Sequence, residues 1–349
     1  MKDIRVYDFD FNLLCIMPDT KSVSWRILYN GVGTFEGHFS LIESISNVIL
    51  NNKYTVIVQG DRQAICTGKI VEEELVVCGR TVNWILTKRV RPPFRASEIF
   101  GTEEYQNPET ILLYCLKKGF IEPPKIGDDG IEDLESIDSD KVVSNFVIPE
   151  ARGAEKLTYH FWRTSANTLE ELSKELCEKM NRGHRVVFDV INKCWRFEFI
   201  YPCQTDIIVA KESKNAYDFT YSQSILDSAS AGWYPLQNNL ENTEGEDEAN
   251  LWGYIKKEED KKGIYFWETV LSGVGESEAK TDIEKRNQEA IINAKLRSMT
   301  LGKDYQIGNI ISAYIKFGEF ENMSSYRIDG VDIRLSPSES FEQPILKQI

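Results

Sequence analysis

The chain has 349 residues, 42% of them hydrophobic and 11% aromatic, with 7 Trp and a formal net charge of −14. That length and apolar content give a globular protein with room for two or three domains, and exclude a disordered one. The acidic balance disfavours a duplex-gripping role, which needs clustered Lys and Arg, so no stable nucleic-acid binding is expected.

No 18-residue apolar run is present and the start, MKDIRVYDFD, lacks the basic-then-apolar pattern of a leader. We therefore expect synthesis in the cytoplasm and no membrane segment. Seven cysteines, at 15, 66, 78, 115, 177, 194 and 203, form no CxxC pair. This favours buried or free thiols over disulfides or a zinc site.

Residues 1–95 read as almost continuous β-structure, a small barrel or sandwich closed by Pro92-Pro93. IRVYDFDFNLLCIM ends at the turn signal Pro18-Asp19. In SVSWRILYNGVGTFEGHFSL (22–41), Trp25, Ile27 and Tyr29 alternate with Ser24, Arg26 and Leu28, Gly31 and Gly33 interrupt, and Phe35, Gly37 and Phe39 resume. Two half-buried strands joined by a glycine turn have this pattern. YTVIVQ, AICTGKIVEEE and LVVCGRTVNWILTKRV follow as strands, punctuated by Gly60-Asp61 and Gly68.

Residues 96–200 read as a helical and α/β insertion. Pro108-Glu109-Thr110 opens a helix, Ile111, Leu112, Cys115 and Leu116 give its apolar spacing, and Gly119 ends it. GDDGIEDLESIDSDK (127–141) is an acidic exposed loop. A second helix spans 168–182, with Asn167 or Thr168 as N-cap, Glu170 or Glu171 completing a capping box, and a stripe of Leu169, Leu172, Leu176 and Met180. RVVFDVINKCWRFEFIYP is a hairpin across Asn192-Lys193, with Trp195, Phe197, Phe199 and Tyr201 on one face.

Residues 201–349 return to β-structure. LWGYIKKEEDKKGIYFWETV reads as a hairpin with a charged tip at 256–262, and a long helix is expected at about 276–299. The last strands lie in YQIGNIISAYIKFGEF and SYRIDGVDIRLS, where the alternation Tyr326, Ile328 shifts phase to Val331, Ile333, Leu335 and marks a bulge at Asp329-Gly330. About fourteen residues follow that strand, too few for a further C-terminal domain.

Catalytic constellations are scarce. His38, His160 and His184 carry no ligand spacing, and GxSxG, GxxxxGK[ST] and HExxH are absent. The dense carboxylates, Asp128, Asp129, Glu132 and Asp133 in one run and Glu244, Glu246, Asp247 and Glu248 in another, fall in loops where nothing fixes or desolvates them. GDDGIEDLE lacks EF-hand spacing. No catalytic residue, cofactor or metal is assigned, and an enzyme is not expected.

Four stretches taken in order carry a resemblance. The opening strand and turn lead to the aromatic strand of Trp25 and a GxF hairpin, Gly33 to Phe35. VCGRTVNWILTKRVRPPF then supplies Gly79, Leu86 and Arg89, and the C-terminal stretch supplies Tyr305, Gly308, Arg327, Ile328 and Val331. This order resembles the tail-hub proteins of phages infecting Gram-positive bacteria and of contractile tail-like particles, the siphophage ReqiPepy-type tail protein family. Asn309 stands where that family prefers Asp, and Asn makes the same local turn bonds.

The resemblance implies a β-rich α+β chain with two tube-protein-like β-barrel domains, residues 1–95 and 201–349, around the inserted 96–200. It implies a homotrimeric baseplate or tail-tip hub that adapts a six-fold tail tube to a three-fold central spike. Its partners would be the tail tube protein, the spike or tip protein, the tape-measure protein and other baseplate proteins. A carbohydrate-binding β-module, with exposed Trp233, Trp252 or Trp267 as stacking platforms, is the alternative; a wall hydrolase is the third reading.

Overall fold

The computed structural model describes residues 3–17, 20–90, 107–127, 132–152, 167–210, 216–236, 252–257, 262–271, 275–286, 289–296, 299–338 and 340–349. Pro92-Pro93, His160 and the acidic run 241–248 lie outside them.

Period-2 alternation builds the N-terminal segment. Strands β1 (Ile4–Asp8), β2 (Leu13–Met17), β3 (Thr20–Leu28) and β4 (Thr34–Phe39) are followed by helix α1 (Glu43–Asn51). Then come β5 (Thr55–Gln59), β6 (Arg62–Val71) and β7 (Leu75–Thr81). All neighbours are antiparallel, in the order β2-β1-β5-β6-β7-β4-β3. Helix α1 interrupts what reads as unbroken β-sequence, because Ser46 and Ile49 bury one helical face. The Lys69 ammonium donates to the carbonyls of Ile49 (2.6 Å) and Asn52, satisfying the helix's C-terminal end. A second difference follows β7: Val82–Lys88 is a 3₁₀ helix and not the end of a strand. Val82 and Leu86 bury on one side of it, a demand that the β-branched sequence conceals.

The insertion is helical where its caps predict. Asn107 accepts the Glu109 N–H and Pro108 opens α2 (Pro108–Leu116), which runs on into a π-turn at Lys117–Ile121. Short β8 (Pro124–Ile126) pairs with β9 (Glu132–Ile137), which falls within the run 127–141 expected to be a loop, and β10 (Phe146–Val147) follows. Thr168 and Glu171 form the capping box of α3 (Leu169–Lys179), and its expected stripe is buried. Strands β11 (Gly183–Asp189) and β12 (Cys194–Ile200) form the hairpin, with β10 parallel to β12. Leu112, Leu116, Leu172, Leu176, Phe188 and Trp195 share one core with Tyr7, Val56 and Ile65 of the first sheet and Leu86 of the 3₁₀ helix.

The free edge of β11 is closed by side-chain amides. Asn83 accepts the Val186 N–H (2.6 Å) and donates to the carbonyls of Gly31 (2.8 Å) and His184 (3.2 Å). Gln63 accepts the Phe188 N–H (2.8 Å) and donates to the Phe188 carbonyl (2.9 Å). The two amides stand in for a neighbouring strand, so buried backbone groups stay paired.

The remainder comprises β13 (Cys203–Ala210), β14 (Ala216–Ser224), β15 (Ala231–Pro235), β16 (Trp252–Lys256), β17 (Glu268–Val270) and helix α4 (Glu276–Lys285). It ends with β18 (Glu289–Leu296), β19 (Asn309–Phe317), β20 (Phe320–Leu335) and β21 (Ser340–Gln348). Three expectations are corrected here. The long helix at 276–299 is α4 alone, and residues 289–296 are a strand beside β21; Ile291-Ile292 suits a strand, and sheet pairing outweighs helix propensity. Strands β16 and β17 do not pair with each other: both flank β15, one antiparallel and one parallel. The strand expected to be last, β20, is followed by β21.

The chain divides into two compact units. One is Met1–Phe219 with Asn293–Lys347 and Ile349; the other is Thr220–Ile292 with Gln348. Among the described residues, one 13-stranded sheet runs β14-β18-β21-β20-β3-β4-β7-β6-β5-β1-β2, with β19 beside β20 and β13 beside β19. Replacing Asn83 by Leu should therefore cost about 2–4 kcal/mol, since it strands the Val186 N–H and two carbonyls in the interior. Urea unfolding followed by tryptophan fluorescence measures it; a loss below half a kcal/mol would mean that water replaces the amide.

Candidate functional site

The residues that carry the resemblance fall in three places within the larger unit. The first is the wall of the N-terminal sheet. Trp25 and Phe35 face each other across β3 and β4 with ring centroids 4.4 Å apart, and Phe35 in turn pairs with Gly79. A Cβ at Gly79 would lie 2.8 Å from the Ile65 carbonyl oxygen and 3.4 Å from the Phe35 ring. Glycine is therefore required where Phe35 crosses β7. The Trp25 indole donates to buried Gln59 (2.8 Å). Gly33 exchanges two bonds with Thr81, and a Cβ there would meet the Arg26 carbonyl at 1.9 Å.

The second place ties the N-terminal sheet to the insertion. Leu86 is fully buried in the shared core. Arg89 donates to the Lys141 carbonyl (2.8 Å), lies over the Phe120 ring (5.5 Å), and accepts the Leu169 N–H on its own carbonyl (2.9 Å).

The third place is where β20 changes partners. From Phe320 to Arg327 it pairs with β19, and from Gly330 to Leu335 it pairs with β3. The phase shift between Ile328 and Val331, both buried, falls in this exchange. Tyr29 sits at its centre. Its N–H donates to the Asp329 carbonyl (2.7 Å) and its carbonyl accepts the His184 N–H (3.1 Å). Its hydroxyl donates to the Ile200 carbonyl (3.1 Å), with the Asn181 carbonyl alongside at 3.3 Å. Burial pushes that hydroxyl's pKa up to about 12, against the opposing pull of Arg327.

Arg327 lies 4.2 Å over the Tyr29 ring and donates to Asp329 (2.5 and 3.2 Å) and Asn181 (2.6 Å). Its charge is therefore paired although the residue is only 7% exposed. Gly308, at φ +90°, donates to the Ile328 carbonyl (2.9 Å), and a Cβ on it would stand 2.8 Å from the Tyr29 ring. Asn309 accepts the Gln306 N–H (2.7 Å), the local turn bond expected of it. Nearby in sequence, Tyr305 donates to Glu342 (3.0 Å), which also faces Arg62 (3.5 Å). Burial first, and then Glu342, pushes the Tyr305 hydroxyl well above its usual pKa.

Sequence reasoning places Tyr29 only in the strand alternation and Asp329 only at a bulge, and does not single out Asn83, Asn181 or Gly183. Asn181, at φ 51° just beyond α3, carries the one local signal, an asparagine at a helix C-terminus. The arrangement is a clamp and holds no reactive set. Among the described residues no group of three His, Cys, Asp or Glu could hold a metal, and no helix is long and apolar enough to cross a membrane. None of the seven cysteines is in a disulfide. His38 bridges Glu74 (2.5 Å) and Glu36 (3.2 Å) on the surface. His184 is buried with Nδ1 against Asn30 (2.6 Å) and Nε2 unpartnered.

Two expectations follow. Gly308→Ala should cost about 2 kcal/mol or more, because left-handed strain and contact with the Tyr29 ring act together; urea unfolding reads it, and a neutral result would show that the turn relaxes freely. Burial, helped by Lys174, lowers the His184 pKa to about 3. The unfolded chain takes up that proton near its ordinary value of about 6.5 and the native state does not, so stability is lost as pH falls from there toward 3. His184→Leu should lower stability at pH 7 yet flatten this acid slope; an unchanged slope would place the titration elsewhere.

Residues 3–234 match the family model described as Siphovirus ReqiPepy6 Gp37-like protein. No curated protein sequence is significantly similar. The 43 kDa tail protein of prophage MuSo2 from Shewanella oneidensis has a similar fold, with TM-score 0.58 at 10% identity over 99% of this chain and 98% of that one. The prophage tail protein gp18 of Listeria monocytogenes EGD-e gives 0.57 at 12% identity, over 99% and 94%. The tail protein of Neisseria meningitidis MC58 gives 0.56 at 8%, over 99% and 96%. With two-thirds of its length under the family model, the chain belongs to the siphovirus tail-protein family of ReqiPepy6 Gp37-like proteins.

Proposed function

We propose that this tail protein is a structural hub at the baseplate or tail tip, a homotrimer that joins a six-fold tail tube to a three-fold spike. The observation that carries the reading is β20. Its first half belongs to the C-terminal strands through β19 and its second half to the N-terminal strands through β3. One strand thus fuses two β-blocks, which we take as two tube-like barrels, one from about residues 1–95 and one from the strands after 201. Three chains then offer six such blocks to a hexameric ring, the closed symmetry that a tube end requires.

In this reading the partners are the tube protein, the spike or tip protein, the tape-measure protein and neighbouring baseplate proteins. The protein is made in the host cytoplasm and acts in the assembled tail, of a phage or of a tail-like particle. It performs no hydrolysis. A trimer would carry −42, three times the −14 of each chain, a field that repels passing phosphate. Mass photometry of the protein mixed with tube protein tests the reading. A threefold mass, alone or on tube rings, is expected; a monomer in every such mixture would contradict it.

A further inference from the structure

The smaller unit, Thr220–Ile292 with Gln348, carries an exposed aromatic surface. Its three strands run β16-β15-β17, and one face is closed by α4: Tyr234 and Leu271 pack with Ala279 and Ile283. Two glycines on that face are fitted to their neighbours. A Cβ at Gly232 would meet Leu271 at 2.5 Å, and one at Gly253 would meet Tyr234 at 2.3 Å. This core is complete without the residues of the opposite face.

The opposite face is aromatic and open. Tyr254, Trp233 and Val270 stand in one register row across the three strands. They are 41%, 46% and 63% exposed. The Trp233 and Tyr254 rings contact at 4.7 Å with a 53° tilt, and both remain partly exposed. In the next row on the same face, Lys256 and Glu268 lie either side of Ala231. The Tyr254 hydroxyl donates to Glu268 (2.9 Å), and Ala231 is wholly buried in this row. A carboxylate is thereby held at a fixed position beside the indole, while the Lys256 ammonium lies over the Phe266 ring (5.2 Å).

A protein-docking face would carry its apolar groups as a broad patch with the charges at the rim. Here the row of Tyr254, Trp233 and Val270 abuts a carboxylate held in place by the Tyr254 hydroxyl. That combination suits a ring with one apolar C–H face and a rim of hydroxyls. Acidic polymers are disfavoured by Glu268 and by the net charge of −14. We propose that the face of Trp233, Tyr254 and Glu268 is a binding site for a neutral hexopyranose unit of a polysaccharide, the pyranose stacking on Trp233 and its hydroxyls donating to Glu268.

The test uses the full chain on an array of neutral and anionic glycans, with intrinsic tryptophan fluorescence to titrate any hit. At least one neutral glycan should bind. Trp233→Ala should weaken it tenfold or more and Glu268→Gln severalfold, while near-ultraviolet circular dichroism and oligomer mass stay as in the parent. Tyr254→Phe, which keeps the ring and frees the carboxylate, should fall between the parent and Glu268→Gln. Binding of no glycan, binding of anionic glycans only, or neutral binding that ignores Trp233→Ala would overturn the proposal. So would a change of oligomer mass in Trp233→Ala, which would make the face a protein contact.

Discussion

Tyr29 holds together three segments that are far apart in the chain: the end of β3, the start of β11 and the middle of β20. It does so with its backbone on both sides and with its ring beneath Arg327. A buried guanidinium is costly unless every direction of its fork is answered, and here Asp329, Asn181 and the ring answer it. The close approach depends on absent side chains. Gly183 leaves room for the Tyr29 carbonyl, and Gly308 leaves room for its ring. The three segments thus meet through one shared set of partners.

From that clamp the rest of the larger unit follows. Strand β20 can change partners from β19 to β3 because its backbone is held at Ile328 by Gly308 and at Asp329 by Tyr29. Beyond the exchange, Arg26 pairs with Asp332 through two short bonds (2.6 and 2.7 Å), fixing the β3–β20 register. The insertion is anchored on the same side through Asn83, Gln63 and Arg89, each supplying side-chain bonds where strand pairing stops. In the proposed hub role, a part that transmits load between a tube and a tip would need such continuity.

Much of this architecture is legible in the sequence, for identifiable reasons. Alternation in Thr20–Leu28 and Thr34–Phe39, the Thr168–Glu171 capping box and the phase shift after Ile328 are local signals with local causes. The 3₁₀ turn at 82–88 was hidden because Val82 and Leu86 are chosen by a core built from other segments. Residues 289–296 look helical until β21 offers them an edge. The clamp itself was only half visible. Gly308 and Arg327 stand in a motif, but nothing near Tyr29 or Asn181 in sequence announces that they meet. The parallel pairing of β15 with β17 likewise depends on contacts that no short window contains.

The hub assignment is the claim on which the functional account turns, and cryo-electron microscopy of the intact tail addresses it most directly. The account predicts three copies around the axis at the tip end of the tube, with the two β-blocks of each chain stacked in a ring of six against the last tube hexamer. Six copies, a position along the tube wall, or density confined to a peripheral fibre would contradict it.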